Sequence, residues 1–224
     1  MEIRGIDVSH WQNNIKFDAV KESGIDFVII KAGGSDKGFY RDRMFMDNYH
    51  KAKAAGLMVG CYYFVGKNFY GEISGLADAD RFIEIIKGLQ FEYPVFVDIE
   101  TTDPRHKDRA TDAAIAFCER MEDHGYFTGI YASDISGFKE KLDESRLKPY
   151  THWVARYGNK PQYISDAPLW QYSSKGNIPG ISGFCDLDIS YVDYAKLITE
   201  KGFNGFPKKE KPKKKRKAEV DNDI

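Results

Sequence analysis

Five stretches of the chain are almost continuously apolar and rich in β-branched and aromatic residues: Ile3 to Val8, Ile25 to Lys31, Leu57 to Phe64, Pro94 to Ile99 and Phe127 to Ala132. Strands covered on both faces read this way, because neither side of the pleat meets water. Between them the period changes. Phe45, Tyr49 and Ala52, then Leu76, Ala79, Phe82, Ile83 and Ile86, then Ala114, Ile115, Cys118 and Met121 recur at three- and four-residue intervals, the stripes of helices with one buried face. Gly24, Gly56, Gly88 and Gly125 each stand just before a strand, 32, 32 and 37 residues apart, where a left-handed residue ends a helix. Strand and helix alternating at that spacing predict parallel strands joined by right-handed crossovers.

After Ala132 the helical period fades. Thr151 to Arg156, Pro168 to Tyr172 and Phe184 to Ile189 read as strands separated by Gly, Pro, Ser and Asn. The whole pattern predicts an α/β fold, a distorted TIM-like (β/α) barrel of about five βα units followed by three strands with few helices, in preference to an open doubly wound sheet.

With 224 residues, 42% of them hydrophobic, the chain can bury one core, and residues 1–206 are expected to form one domain. No stretch approaches the roughly 20 apolar residues that a membrane span needs. Met1-Glu2-Ile3-Arg4 runs straight into a strand without a basic and apolar leader, so no signal peptide is expected. The formal charge of −1 conceals an asymmetry: residues 1–206 carry 25 bases and 30 acids, whereas 208–217 hold eight Lys or Arg. An acidic body is not expected to bind nucleic acid. Only the basic tail, 207–224, has the charge for that, and it is expected to be disordered. Cys61, Cys118 and Cys185 are widely spaced among apolar residues and read as buried free thiols; no metal site or cofactor is expected.

A barrel gathers function at the C-terminal ends of its strands, where acids stand: Asp7 in the first, Asp98 and Glu100 in the fourth, Asp186 and Asp188 in the last. In Val97-Asp98-Ile99-Glu100 the period of two puts both carboxylates on one wall, with Cα atoms about 6.6 Å apart. At that separation one is expected to keep its proton to higher pH, as a general acid must. Trp11, Tyr62, Tyr63, Tyr131, Trp153, Trp170 and Tyr172 cluster at the same ends, and flat faces with a polar handle suit sugar rings. Walker A, His-Glu-x-x-His and Gly-x-Ser-x-Gly patterns are missing, which leaves carboxylate chemistry.

Several ordered motifs together, Gly5-Ile-Asp-Val-Ser-His-Trp-Gln12, Phe27-Val-Ile-Ile-Lys31, Gly60-Cys-Tyr-Tyr-Phe64, Val97-Asp-Ile-Glu100, Leu169-Trp-Gln-Tyr172 and Cys185-Asp-Leu-Asp188, resemble those of the glycoside hydrolase family 25 lysozymes over about residues 3–200. The resemblance implies cleavage of the β-1,4 bond between N-acetylmuramic acid and N-acetylglucosamine in peptidoglycan glycan strands. It makes Glu100 the proton donor, Asp98 its assistant, and Asp7 and Asp186 the remaining catalytic acids, raising the proton affinity of Glu100. Lys31, Tyr62, Tyr63, Tyr131, Trp153, Trp170, Gln171 and Asp188 are then expected to bind substrate. The sequence departs from the family where Tyr63 replaces a histidine and where a glutamate is missing after Lys31. A chitinase-like hexosaminidase and a non-catalytic glycan-binding module are the alternatives. The expected protein is a monomer, either a phage endolysin made in the host cytoplasm and released to the wall, or a secreted bacterial enzyme.

Overall fold

The structure, a computed structural model, describes residues 2–208; the basic run from residue 209 onward lies outside the described residues. Strand β1 (Ile3–Val8) leads through α1 (Phe17–Glu22) to β2 (Phe27–Gly34), which folds back into the two-residue strand β3 (Tyr40–Arg41). Helix α2 (Phe45–Ala54), β4 (Met58–Phe64), α3 (Gly71–Ile86), β5 (Val95–Asp98), α4 (Lys107–Asp123) and β6 (Thr128–Ser133) follow. Then come β7 (Thr151–Ala155), β8 (Leu169–Gly176), β9 (Cys185–Ser190) and α5 (Tyr194–Lys201). The sheet order β1-β9-β8-β7-β6-β5-β4-β2 is closed by pairing of β1 with β2, giving an eight-stranded barrel with β3 hydrogen-bonded outside the ring. Gly24, Gly56, Gly88 and Gly125 have φ of 85, 75, 82 and 81°, the left-handed stops their spacing predicts.

The first four crossovers carry α-helices. After β6 there is only a six-residue π-helix, Asp134–Lys139, and a single 3-10 turn, Glu144–Arg146. The last crossovers are loops. Seven barrel strands are parallel, and β9 runs against both neighbours. The chain from Gly176 to Cys185 is too short for a crossover helix and therefore makes a hairpin, which reverses the strand. Asp186 consequently stands at the start of β9 yet pairs with Asp7 near the end of β1.

Alternation sorts each strand. Phe27, Ile29, Phe96, Tyr131, Trp153 and Leu169 share one buried cluster inside the ring, while Val28, Ile30, Val95, Val97, Ile130 and Val154 join a second cluster beneath the helices. Space inside is tight: a Cβ on Gly5 would lie 2.1 Å from the Phe27 ring, so only glycine lets that ring cross the barrel. Tyr194 and Ile198 of α5 complete the inner cluster, with Phe203 and Phe206 packed against it, and these plug the end where the strands begin. Asn204, fully buried, fastens the plug: its Nδ2 donates to the Phe91 and Tyr93 carbonyls at 3.2 and 2.9 Å, and its Oδ1 accepts from Phe127 N at 2.7 Å. With the floor sealed, the opposite end is the open one. Cys61, Cys118 and Cys185 are buried free thiols.

Candidate active site

At the open end the inward parity of each strand delivers a polar residue just above the apolar fill. Lys31 pairs with Tyr62 across β2 and β4, and Phe64, Asp98 and Tyr131 lie in register across β4, β5 and β6. Asp98 has the parity of Phe96 and is 4% exposed, whereas Glu100, two residues further, has left the strand and is exposed. Lys141 donates to the Glu100 backbone carbonyl and pins the turn. A bulge after Lys31 turns its side chain over the mouth, where Nζ lies 4.4 Å from the Phe64 ring centre and 5.9 Å from those of Tyr62 and Tyr40.

The facing wall is a hydrogen-bonded chain. Tyr131 OH and Tyr157 OH donate to Gln171 Oε1 at 2.9 and 3.2 Å, and Gln171 Nε2 donates to Asp7 Oδ2 at 2.7 Å. Below it, Trp153 Nε1 donates to Asp188 Oδ1 at 2.8 Å. Tyr131 and Tyr62 cover the Trp153 indole, with ring centres 4.4 and 5.9 Å away.

Five carboxyls in one cavity cannot all ionise. Burial, followed by the charges of Asp188 and Asp186, pushes Asp7 well above the ordinary carboxylate range. Burial and then the Glu100 charge raise Asp98, against the pull of Lys31. Glu100 is also raised, by burial, with a hydrogen bond to Asp98 and the charges of Lys31 and Lys141 opposing. Asp186 is pushed to about 6 by burial and the Glu100 charge, and Asp188 to about 8, chiefly by burial. Glu100 and Asp186 repel each other across the mouth, a mutual effect that favours a proton on one of them.

Asp7, Lys31, Tyr62, Asp98, Glu100, Tyr131, Gln171 and Asp186 come together at the mouth. Trp153 and Asp188, each 1% exposed, form the layer beneath and touch the cleft only through the groups above them. Two expected binding residues face elsewhere. Tyr63 follows the inward Tyr62 and so points outward, where its hydroxyl donates to Asp78 of α3 at 3.2 Å and its ring packs on Phe82 and Phe117. The replacement of a histidine at this position therefore alters the helix interface and leaves the cleft untouched. Trp170, between inward Leu169 and Gln171, also points outward; its indole donates to the Arg156 carbonyl at 2.8 Å.

Three contributors had little sequence signal. Tyr40 is carried over Lys31 by pairing of β3 with Gly34. Tyr157, 55% exposed, follows β7 and reaches Gln171. Asp134, 1% exposed, accepts from the backbone N–H groups of Gln162, Tyr163 and Ile164 at 2.7, 3.1 and 3.0 Å and from Arg156 Nη1 at 2.9 Å, ordering the loop that holds Tyr157.

A closed barrel whose mouth sets an exposed, proton-retaining carboxyl beside a buried one, with further acids opposite, has the parts of a carboxylate-dependent glycosidase. The chain belongs to the glycosyl hydrolases family 25, whose family model matches residues 6–181. It is 32% identical to the autolytic lysozyme of Clostridium acetobutylicum over 187 residues, 83% of this chain and 55% of that protein. It is 31% identical to lysozyme M1 of Streptomyces globisporus over a 224-residue alignment, 88% of this chain and 70% of that protein. The chain thus spans little more than half the length of the Clostridium relative. The crystal structure of the CTP1L endolysin shares the fold with a TM-score of 0.77 at 27% identity, over 88% of this chain and 69% of that one.

Proposed function

We propose that the protein is a lysozyme, a muramidase that cuts the β-1,4 bond between N-acetylmuramic acid and N-acetylglucosamine in peptidoglycan and so lyses the bacterial wall. The observation that carries this reading is the Asp98–Glu100 pair, one carboxyl buried and the other open to solvent, both held toward the protonated form, in a chain of this family. Glu100, the accessible member, gives its proton to the leaving glycosidic oxygen. Asp98 Oδ1 has no hydrogen-bond partner among the described residues, and a buried acceptor left unmatched awaits a donor. The N–H of a sugar 2-acetamido group fits that place. Its carbonyl oxygen then attacks the anomeric carbon as the glycosidic bond breaks, and water deprotonated by Glu100 opens the cyclic intermediate. Asp186 and the Gln171-bound Asp7 line the opposite wall, where they orient sugar and water.

Tyr62, Tyr131 and Lys31 supply the contact surface for the ring at the cleavage point. No helix of the described residues is long and apolar enough to cross a membrane, and the site of action is the wall polymer itself. The autolysin and endolysin relatives support both a bacterial and a phage setting.

Digestion of purified sacculi in H₂¹⁸O tests the assignment. The expected products carry muramic acid at the new reducing end, with the heavy oxygen at its anomeric carbon, and NMR of the nascent anomer reports which face was attacked. Release of N-acetylglucosamine reducing ends, a preference for chitin, or binding without cleavage would each overturn the muramidase reading.

A further inference from the structure

Beside the acidic mouth lies a cavity of opposite character. The turn after β1 carries Trp11, whose ring is 75% exposed. The ring is held there. Ser9 Oγ accepts from Trp11 N at 3.2 Å, Asn13 Nδ2 donates to the Trp11 carbonyl at 3.4 Å, and the His10 ring lies 4.7 Å away. His10 is itself fixed by buried Asp42, whose Oδ2 meets His10 Nδ1 at 2.6 Å and accepts from His10 N at 3.2 Å. Asp42 Oδ1 accepts from Met44 N at 2.8 Å, so this carboxylate already has donors on both oxygens.

The cavity, about 400 Å³, is lined by His10, Trp11, Tyr40, Arg41, Asp42 and Arg43. Arg41 and Arg43 are exposed, and neither forms an ion pair among the described residues. Two links tie the cavity to the cleft residues. Tyr40 lines it and also stands over Lys31, and Gln12 Nε2 donates at 3.4 Å to the carbonyl of Phe184, two residues before Asp186. An exposed indole flanked by two guanidinium groups presents a stacking face and two forked cationic donors within one cavity.

We propose that the Trp11–Arg41–Arg43 cavity is a distal subsite of the cleft that stacks a sugar of the bound glycan on Trp11 and pairs its arginines with a carboxylate of the attached stem peptide. The proposal rests on the peptidoglycan reading above. That substrate is a neutral sugar chain whose anionic groups hang from every second ring, so a cleft of acids for the bond and a cationic cavity for the side branch divide the recognition between them. Arginine rather than lysine suits the task, because its planar fork matches a carboxylate with two hydrogen bonds.

The test compares two substrates: glycan fragments bearing free-carboxylate stems, and the same fragments stripped of stems by an amidase, with the lactyl carboxylate that this hydrolysis uncovers capped as a methyl amide. With stem-bearing glycan, Arg41→Ala/Arg43→Ala is expected to raise KM about tenfold and leave kcat within about twofold, and with stripped glycan to change neither. Trp11→Ala is expected to raise KM on both. Affinity of the same fragments for Glu100→Gln protein, measured by calorimetry, is expected to fall with the arginine change for stem-bearing glycan only. An equal arginine effect on both glycans, an effect that persists when the stem carboxylates are amidated, or no effect at all would overturn the proposal. Failure of the hydrolase reading shows differently: wild-type protein would release no reducing ends, while arginine-dependent binding of stem-bearing fragments remained.

Discussion

The two sides of the barrel are built by different means. From β1 to β6 each crossover buries a helix against the sheet, and the wall so backed presents Asp98 and Glu100. From β7 to β9 no α-helix backs the strands, and the wall presents a hydrogen-bonded chain from Tyr157 through Gln171 to Asp7, with Trp153 and Asp188 beneath. Where a helix would have satisfied its own backbone, the loop of residues 156–164 has its N–H groups collected by one buried carboxylate, Asp134. The helix-backed wall aims Asp98 by strand parity and holds Glu100 in the turn just beyond, pinned by Lys141. The loop-backed wall depends on single polar side chains, and it should be the more fragile.

The largest expected effect tests what the helix-backed wall contributes. Glu100→Gln keeps volume and removes the transferable proton, so turnover is expected to fall by about 10³-fold or more, with the melting temperature unchanged; reducing-end release and calorimetry measure the two. The next change attacks the other wall. Asp134→Ala strands Arg156 and three N–H groups, and is expected to cost about 3 kcal/mol in denaturant unfolding, with KM rising as Tyr157 loses its place.

A third, smaller effect appears in the pH dependence. Asp186 and Asp188 are held above their unfolded values, at about 6 and about 8. Between the unfolded carboxylate range near pH 4 and these values the folded protein binds more protons than the unfolded chain, so stability falls as pH rises through that window. Asp188→Asn retains an acceptor for Trp153 and removes the buried charge. It is expected to flatten the decline and to raise stability at pH 8 by about 1 kcal/mol, as urea melts across pH would show. The smallest effect marks the outer surface of the same wall: Trp170→Phe loses one hydrogen bond, to the Arg156 carbonyl, and is expected to cost about 0.5 kcal/mol with kcat and KM unchanged.

The same contrast explains what could be read from the sequence. The helix-backed strands are legible because apolar runs, helical stripes and glycine stops repeat in step, and Asp98 and Glu100 stand out as a period-two pair facing the acids of the first and last strands. Parity, applied one residue further, also separates Tyr62 from Tyr63 and Trp170 from its neighbours Leu169 and Gln171; aromatic type alone does not distinguish the outward pair from the inward one. The reversal of β9 had a signal too, the short stretch without helical period before Cys185. Asp134 and Tyr157 had none, since their partners become neighbours only after the loop of residues 156–164 has folded over the barrel.

The sealed floor has a practical consequence for anyone attaching this protein to something else. The segment from Phe203 to Phe206 is woven into the end remote from the acids by Asn204, so a fusion partner, resin or tether joined after residue 208 starts from the underside. The acidic mouth then points away from the support, toward whatever polymer is laid over it.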